Sequence, residues 1–408
     1  MSVLNSVPSG YDLRPAYYDN FQCLASDCNL SCCKGWRIVF DKKDYMSLKR
    51  LSGSPELNSH IRNALKRIRG KPFNGAFGEF RMIGENDSCL LRCENGLCML
   101  QVEKGHEILP FVCRIFPRKE VPSCSGYYER SLSPACEAVL NLLWELPEGV
   151  DFRSDPCSAC QKIPSRPHTL EGCFQEIRSQ CIDFLQDRCI PLPQRILLMG
   201  LALQSLVDGE TDLTRWMARA RLLTEQASAG GLLPAEEAEQ HLPSFLINNI
   251  RIILSFPDRN DDFKGLRQEL TSALTLDVNV QCQGKYEISV KEYQDARARF
   301  QERFGGRDYF MENLMVSIFF HLGFPALETP EALWKSYINF CSLYSVYRYL
   351  SVMSCRAGAA GDRNELFRLI VYGSRKMVHN GLLPDAVGAS FLQNKSSTLA
   401  HMAVLLSN

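Results

Sequence analysis

The sequence predicts a mainly α-helical protein, with a cysteine-rich, metal-binding N-terminal module of a few short strands followed by a large α-helical domain. Three observations predict it. Fifteen of the 18 cysteines fall between Cys23 and Cys189, and only Cys282, Cys341 and Cys355 come later. From residue 168 onward apolar residues recur at helical spacing almost throughout, with one strand-like interruption, "LDVNVQCQGKYEISV", at 276–290. Between the two patterns lies "PEGVDFRSDPCSACQKIPSRP" (147–167), rich in Pro, Gly and Ser, which reads as a loop or linker. The expected organisation is a cysteine-rich module over 1–150, a linker over 151–167 and a helical domain over 168–408.

Taken in order, "WRIVF" (36–40) reads as a short strand. "DKKDYMSLKRLSG" follows as a helix with Asp41 as N-cap and Gly53 as a stop. "SPELNSHIRNALKRIRG" is a second helix, capped by Ser54, with Pro55 suited to its first turn and Gly70 to its end. "GEFRMIG" (78–84) reads as a strand, and "SPACEAVLNLLWEL" (133–146) as a helix with Pro134 near its start. Beyond the linker, helices are expected at 168–188, 192–208, 211–228, 243–255, 260–275, 290–304, 307–322, 330–355, 361–379 and 388–406.

The N-terminus, "MSVLNSVPSGYDLRPAYYDN", lacks a basic stretch followed by an apolar one, so it is not read as a secretory signal. No run approaches the roughly 18 apolar residues that span a bilayer. A cytoplasmic protein without membrane contact is expected, in a compartment where thiols stay reduced. Metal or catalytic chemistry then explains so many cysteines better than disulfides do. Forty-six Lys and Arg balance 46 Asp and Glu, which leaves no overall electrostatic footprint for nucleic acid.

Thiolates select zinc or iron–sulfur, and such centres need three or four of them converging. The groups are Cys23-x4-Cys28-x3-Cys32-Cys33 in "FQCLASDCNLSCCKGW", then Cys89, Cys93 and Cys98 in "CLLRCENGLC", Cys113 in "PFVCRIFPR", and Cys136 at a helix head. Gly96 permits a tight turn before Cys98. In an extended chain Cys32 and Cys33 point to opposite sides, whereas in a turn or helix start they diverge less; either one binds and the other packs, or they serve two centres. Cys173, Cys181, Cys189, Cys282, Cys341 and Cys355 read as buried small hydrophobes, and "CSAC" (157–160) lacks a second pair at zinc spacing.

"FQCLASDCNLSCCKGWRI", "CENGLC", "LPFVCRIFPR" and "SLSPACEAVL", with "RPAYYDNFQC" and "ENLMVSIFFHLGFP" (312–325), together resemble the flagellin lysine-N-methylase family, within a wider group of clustered-cysteine proteins thought to chelate zinc or iron. The resemblance covers residues 14 to about 355. It implies methyl transfer from S-adenosylmethionine to surface lysines of flagellin, with a [4Fe-4S] cluster, or zinc as the alternative metal. It implies as ligands Cys23, Cys28, Cys32, Cys33, Cys89, Cys98, Cys113 and Cys136, more than one cubane uses. Cys93 falls outside its pattern. The C-x3-C-x2-C arrangement of radical S-adenosylmethionine enzymes is absent, since Gly35 and Gly96 stand where a third cysteine would be needed. "AGAAGDRNELF" (357–367) reads as a helix–helix loop, not a cofactor turn, because no strand precedes it.

Amine methylation needs alignment of nitrogen, methyl and sulfur, and an unprotonated amine. Arg114 and Arg118 are candidates for the cofactor's carboxylate, against a role as surface cations. Glu312 is a candidate acceptor for the lysine ammonium and Asn313 a candidate hydrogen-bonding partner, against plain helix-start roles. Tyr17, Tyr18 and Trp36 are candidate wall residues, while His106 and His321 stand alone. Two other functions fit the composition: a zinc-binding scaffold, and an iron–sulfur redox enzyme with another substrate.

Overall fold

A computed structural model describes residues 7–69, 75–84, 88–123, 127–157, 173–230, 290–378, 391–393 and 397–406. Gly70, Cys124, Cys160, Cys282, the helices expected at 243–255 and 260–275, and the strand-like stretch before residue 290 lie outside the described residues.

The N-terminal half carries β1 (Tyr11–Pro15), β2 (Val39–Phe40), α1 (Lys42–Arg50), α2 (Pro55–Ala64), β3 (Leu65–Arg67), β4 (Gly78–Phe80), β5 (Met82–Ile83), β6 (Ser88–Cys89), α3 (Met99–Lys104), α4 (Phe111–Ile115), β7 (Arg118–Pro122), β8 (Tyr128–Leu132), α5 (Glu137–Trp144) and β9 (Phe152–Pro156). Both expected caps form. Asp41 Oδ1 accepts from Asp44 N at 2.8 Å, and Ser54 Oγ from Leu57 N at 3.1 Å. The helices end earlier than expected. α1 stops before Gly53, and α2 stops at Ala64 because Leu65–Arg67 pairs with β4.

Strand pairing is where local signals fell short. A four-stranded sheet runs β7-β8-β1-β9, with β1 parallel to β8 and antiparallel to β9. Phe152–Pro156, inside the stretch expected to be a loop, pairs along all of β1 from Pro15↔Phe152 to Tyr11↔Pro156. Its partner lies some 140 residues away in sequence, and Pro156 sits at the strand's end, where a missing N–H is tolerated. "GEFRMIG" divides into β4 and β5, which belong to different small sheets.

The described helices of the second half are α6 (Phe174–Gln186), α7 (Leu192–Val207), α8 (Leu213–Gly230), α9 (Val290–Phe304), α10 (Asp308–His321), α11 (Pro330–Met353), α12 (Arg363–Met377) and α13 (Leu399–Leu406). α10 has no single polar face and is buried from Glu312 to His321, its few polar side chains being met by partners inside the fold. It lies between the sheet, α5 and α6. The larger core draws on both sides of 151–167, joining Leu13, Tyr17, Tyr127 and Leu132 to α6, α7, α10 and α11. A smaller core gathers Ile38, Phe40, Leu48, Leu57, Ile61 and Leu100 between α1, α2, α3 and the β2-β4-β3 sheet. No helix among the described residues is long and apolar enough to cross a membrane.

One contact sets the spacing of two central helices. Gly200 of α7 lies under Tyr337 of α11, and a Cβ built there would stand 2.1 Å from the Tyr337 hydroxyl oxygen. Alanine is the better helix former by about 1 kcal/mol, but overpacking costs about 1–3 kcal/mol. Gly200→Ala should therefore lower the melting temperature despite its helix propensity, as read by thermal denaturation.

Candidate metal centre and its neighbouring cavity

The loop from Phe21 to Trp36 has little regular structure of its own, and two side chains from elsewhere hold it. Glu137, buried in the first turn of α5, takes the loop's N–H groups. Asn29 N and Leu30 N donate to its Oε2 at 2.8 and 2.9 Å, and Asn29 Nδ2 to its Oε1 at 3.1 Å. The Cys28 thiol donates to Oε2 at 3.5 Å. On the opposite side Arg375 of α12 takes the loop's carbonyls, donating to Leu30 O at 2.7 Å and Ser31 O at 3.1 Å. Its guanidinium lies 5.2 Å from the Trp36 ring centroid, and Trp36 Nε1 donates to Cys32 O. An anion thus collects donors and a cation collects acceptors, each with charge-assisted hydrogen bonds.

All eight cysteines implied as ligands come into one neighbourhood. Cys33, Cys89, Cys98 and Cys113 pack in the smaller core. Cys33 O accepts from Cys89 N at 2.8 Å, and Gly96, at φ +85°, closes the turn that returns the chain to Cys98. Cys32 lies within electrostatic reach of Cys89, Cys98 and Cys113 and also of Cys28 and Cys136, with Cys136, immediately before α5, in turn near Cys23. The adjacent pair does not diverge: Cys33 packs against the smaller core and its thiol donates to the Cys32 sulfur. Cys93, left outside the pattern, lies close enough to Cys98 to raise its pKa. Among the described residues no three His, Cys, Asp or Glu side chains are yet drawn round a common point at metal-ligand geometry. Donor type and number nevertheless fit a thiolate-bound centre.

The thiols differ in readiness to ionise. Cys32 is lowered to about 7, first because Cys33 donates to its sulfur, then against burial by the charges of Arg375 and Arg92. Cys33 is correspondingly raised, by that same bond and by burial. Burial pushes Cys89 and Cys136 up to about 12, and burial with Glu137 does the same to Cys28. Burial also holds Cys113 well above its ordinary value.

The other expected site residues are taken up in contacts within the fold. Glu312 is 3% exposed, and arginines bind both its carboxylate oxygens. Arg188 Nη2 donates to Oε1 at 2.9 Å, and Arg195 Nη1 to Oε2 at 2.6 Å. Asn313 Nδ2 donates to Leu143 O and Leu146 O, capping the end of α5. Arg114 donates to Glu107 O at 2.9 Å, and Arg118 lies 4.7 Å from the Phe21 ring centroid. Tyr17 is buried with its hydroxyl on Ser317, Tyr18 reaches Glu120, and the buried His321 meets Ser131 Oγ at 3.0 Å. His106 is exposed. Cys181, Cys341 and Cys355 are buried as expected, but Cys189 is exposed, in the turn between α6 and α7.

Beside the cysteine loop is a cavity of about 390 Å³, which sequence reasoning missed. Asn29–Ser31 and Lys34 form one wall, Glu137 another, and the start of α12 with Arg368 and Arg375 a third. "AGAAGDRNELF" is the helix–helix loop expected, with Gly358 and Gly361 at φ +77° and +62°, and its end lines this hollow. Its signal in sequence was a glycine-rich turn before a helix, which needed the distant cysteine loop to become a cavity.

Residues 178–405, more than half of the chain, match the family model described as the FliB lysine N-methylase C-terminal domain. The chain belongs to the FliB lysine N-methylase family. It is 29% identical over 174 residues to the flagellar biosynthetic protein FliU of Salmonella muenchen, covering 42% of this chain and 95% of that one. It is 30% identical over 140 residues to the lysine-N-methylase of Salmonella typhimurium, and equally to that of Salmonella choleraesuis, covering 34% of this chain. Those matches span 33% of each lysine-N-methylase. No solved structure matches. The FliB region supplies Arg375 and the α12 wall, whereas the cysteines implied as ligands precede it.

In metal-free protein, iodoacetamide should modify Cys32 before the other clustered cysteines. A depressed thiol pKa means that thiolate forms as pH rises through about 7. The labelling rate should climb over that range, and Cys33→Ala, which removes the donor, should move the rise to higher pH. Peptide mass spectrometry after timed alkylation reads both.

Proposed function

We propose that this protein is a protein-lysine methyltransferase that moves a methyl group from S-adenosylmethionine to lysine side chains of flagellin in the cytoplasm. The observation that carries the reading is the lock between halves: Arg375, inside the FliB-matched region, holds the loop of Cys28, Cys32 and Cys33, so the matched domain and the thiols form one site. The reaction is a displacement. The lone pair of a neutral lysine nitrogen forms the N–CH₃ bond, the C–S pair returns to sulfur, and the new ammonium loses its proton to water. The chain's task is to align the partners and exclude water from the amine. Glu312 and Asn313 take part as the frame that fixes α10 against α5, α6 and α7.

The thiols fit a [4Fe-4S] centre, with Cys32 and Cys33 standing between Cys89, Cys98 and Cys113 and the group of Cys23, Cys28 and Cys136. Once bound, such a centre would cross-link the loop that walls the cavity.

Anaerobically purified protein should carry about four irons and four sulfides per cluster. Cys33→Ala and Cys89→Ala should lose them, while Cys341→Ala, remote in the helical core, should keep them. Stoichiometric zinc without sulfide would favour the zinc-scaffold reading instead. With labelled S-adenosylmethionine and purified flagellin, label should appear on lysine without a low-potential reductant. An absence of transfer both with and without that reductant would refute the methyltransferase assignment.

A further inference from the structure

The polar groups around the cavity are unequally committed. Glu137 is occupied by the loop and Arg375 by its carbonyls. Glu365 binds Arg356 and Arg368 through its two oxygens. Three groups remain. Asp362 uses Oδ1 to cap α12, accepting from Glu365 N at 2.9 Å, and its second oxygen has no partner among the described residues. The ammonium of Lys34 and the amide of Asn364 also have no side-chain partner among the described residues, although both line the hollow. Lys34 and Asp362 face one cavity without forming an ion pair with each other.

We propose that this cavity binds the α-amino-acid end of the methyl donor, with Lys34 receiving the carboxylate and Asp362 and Asn364 the ammonium. The assignment rests on the methyl-transfer reading above and places its cosubstrate. A volume of about 390 Å³ is within the range of small-molecule sites, roughly 300–1,000 Å³. A cation and an anion set apart across it call for a ligand carrying both charges. A lysine side chain from the protein substrate would bring only a positive charge and would meet Lys34 unfavourably. An α-amino acid supplies a carboxylate and an ammonium on one carbon. The cavity also shares the Asn29–Lys34 wall with the thiols, so the donor would sit against the loop that Glu137 and Arg375 hold.

The test is calorimetry on the anaerobically purified full chain, comparing S-adenosylhomocysteine with 5′-methylthioadenosine, which lacks the amino-acid end. Wild-type protein should prefer S-adenosylhomocysteine by about tenfold or more, as expected for hydrogen bonds to charged groups. Lys34→Gln and Asp362→Ser should each remove most of that preference. Serine retains an N-cap acceptor, so α12 should still form. Ala360→Trp, at an exposed position on the rim, should fill the hollow and weaken S-adenosylhomocysteine by a similar factor with the melting temperature and iron content unchanged. Wild-type preference retained in all three variants would overturn this site while leaving the methyltransferase assignment standing. Preference lost in the variants of a protein that transfers no methyl to lysine would support the cavity and refute the lysine reading.

Discussion

The cysteine loop depends on a charge-paired grip. Sixteen residues from Phe21 to Trp36 carry four thiols and almost no internal hydrogen-bond ladder, so the loop has little shape of its own. Glu137 satisfies its amides and Arg375 its carbonyls. These groups lie more than 100 and more than 300 residues away in sequence, and fixing a long loop from both faces offsets its conformational entropy where local structure does not. The same pair sets one cavity wall, tunes Cys32 through Arg375 and brings α12 against the thiols. The geometry and electrostatics of the cysteine loop therefore rest on two side chains.

That grip needs its two supports to stay in register, and ion pairs on two buried carboxylates, Glu312 and Glu129, do this. Glu312 is shared by Arg188 and Arg195, which also donate to Pro147 O and Leu185 O, tying α10 to the end of α5 and to the corner between α6 and α7. Arg178 pairs with Glu129 of β8 and reaches Phe320 O, tying α6 to the sheet and α10. Buried pairs add little net stability over apolar packing, yet losing one partner strands a charge and is costly. Their effect here is to hold α5, the carrier of Glu137, at one position relative to the helical body.

Several elements could be read from local chemistry. Asp41 and Ser54 announced their helices because an N-cap satisfies its own neighbours, and Gly96 announced its turn because φ near +85° suits glycine. The very apolar 307–322 stretch announced a buried helix. The strands of the four-stranded sheet did not announce themselves. A strand's hydrogen bonds are made with distant residues, and Phe152–Pro156 looks like a loop until β1 stands beside it. Glu312 similarly looked like an available acid until folding delivered two arginines to it.

The sequence by itself determined the helical class, the clustering of cysteines toward the N-terminus and the family to which they point, because residue type, spacing and periodicity are local properties. Only the tertiary structure decided how those thiols gather, with Cys33 packed against the smaller core and its thiol donating to Cys32 beside Arg375. It also decided that a glycine-rich turn and a cysteine loop more than 300 residues apart should enclose a cavity. The physical reason is that an amide, a carbonyl or a thiol in a loop takes its environment from whatever packs against it. Here the groups that pack against it come from α5 and α12, far along the chain.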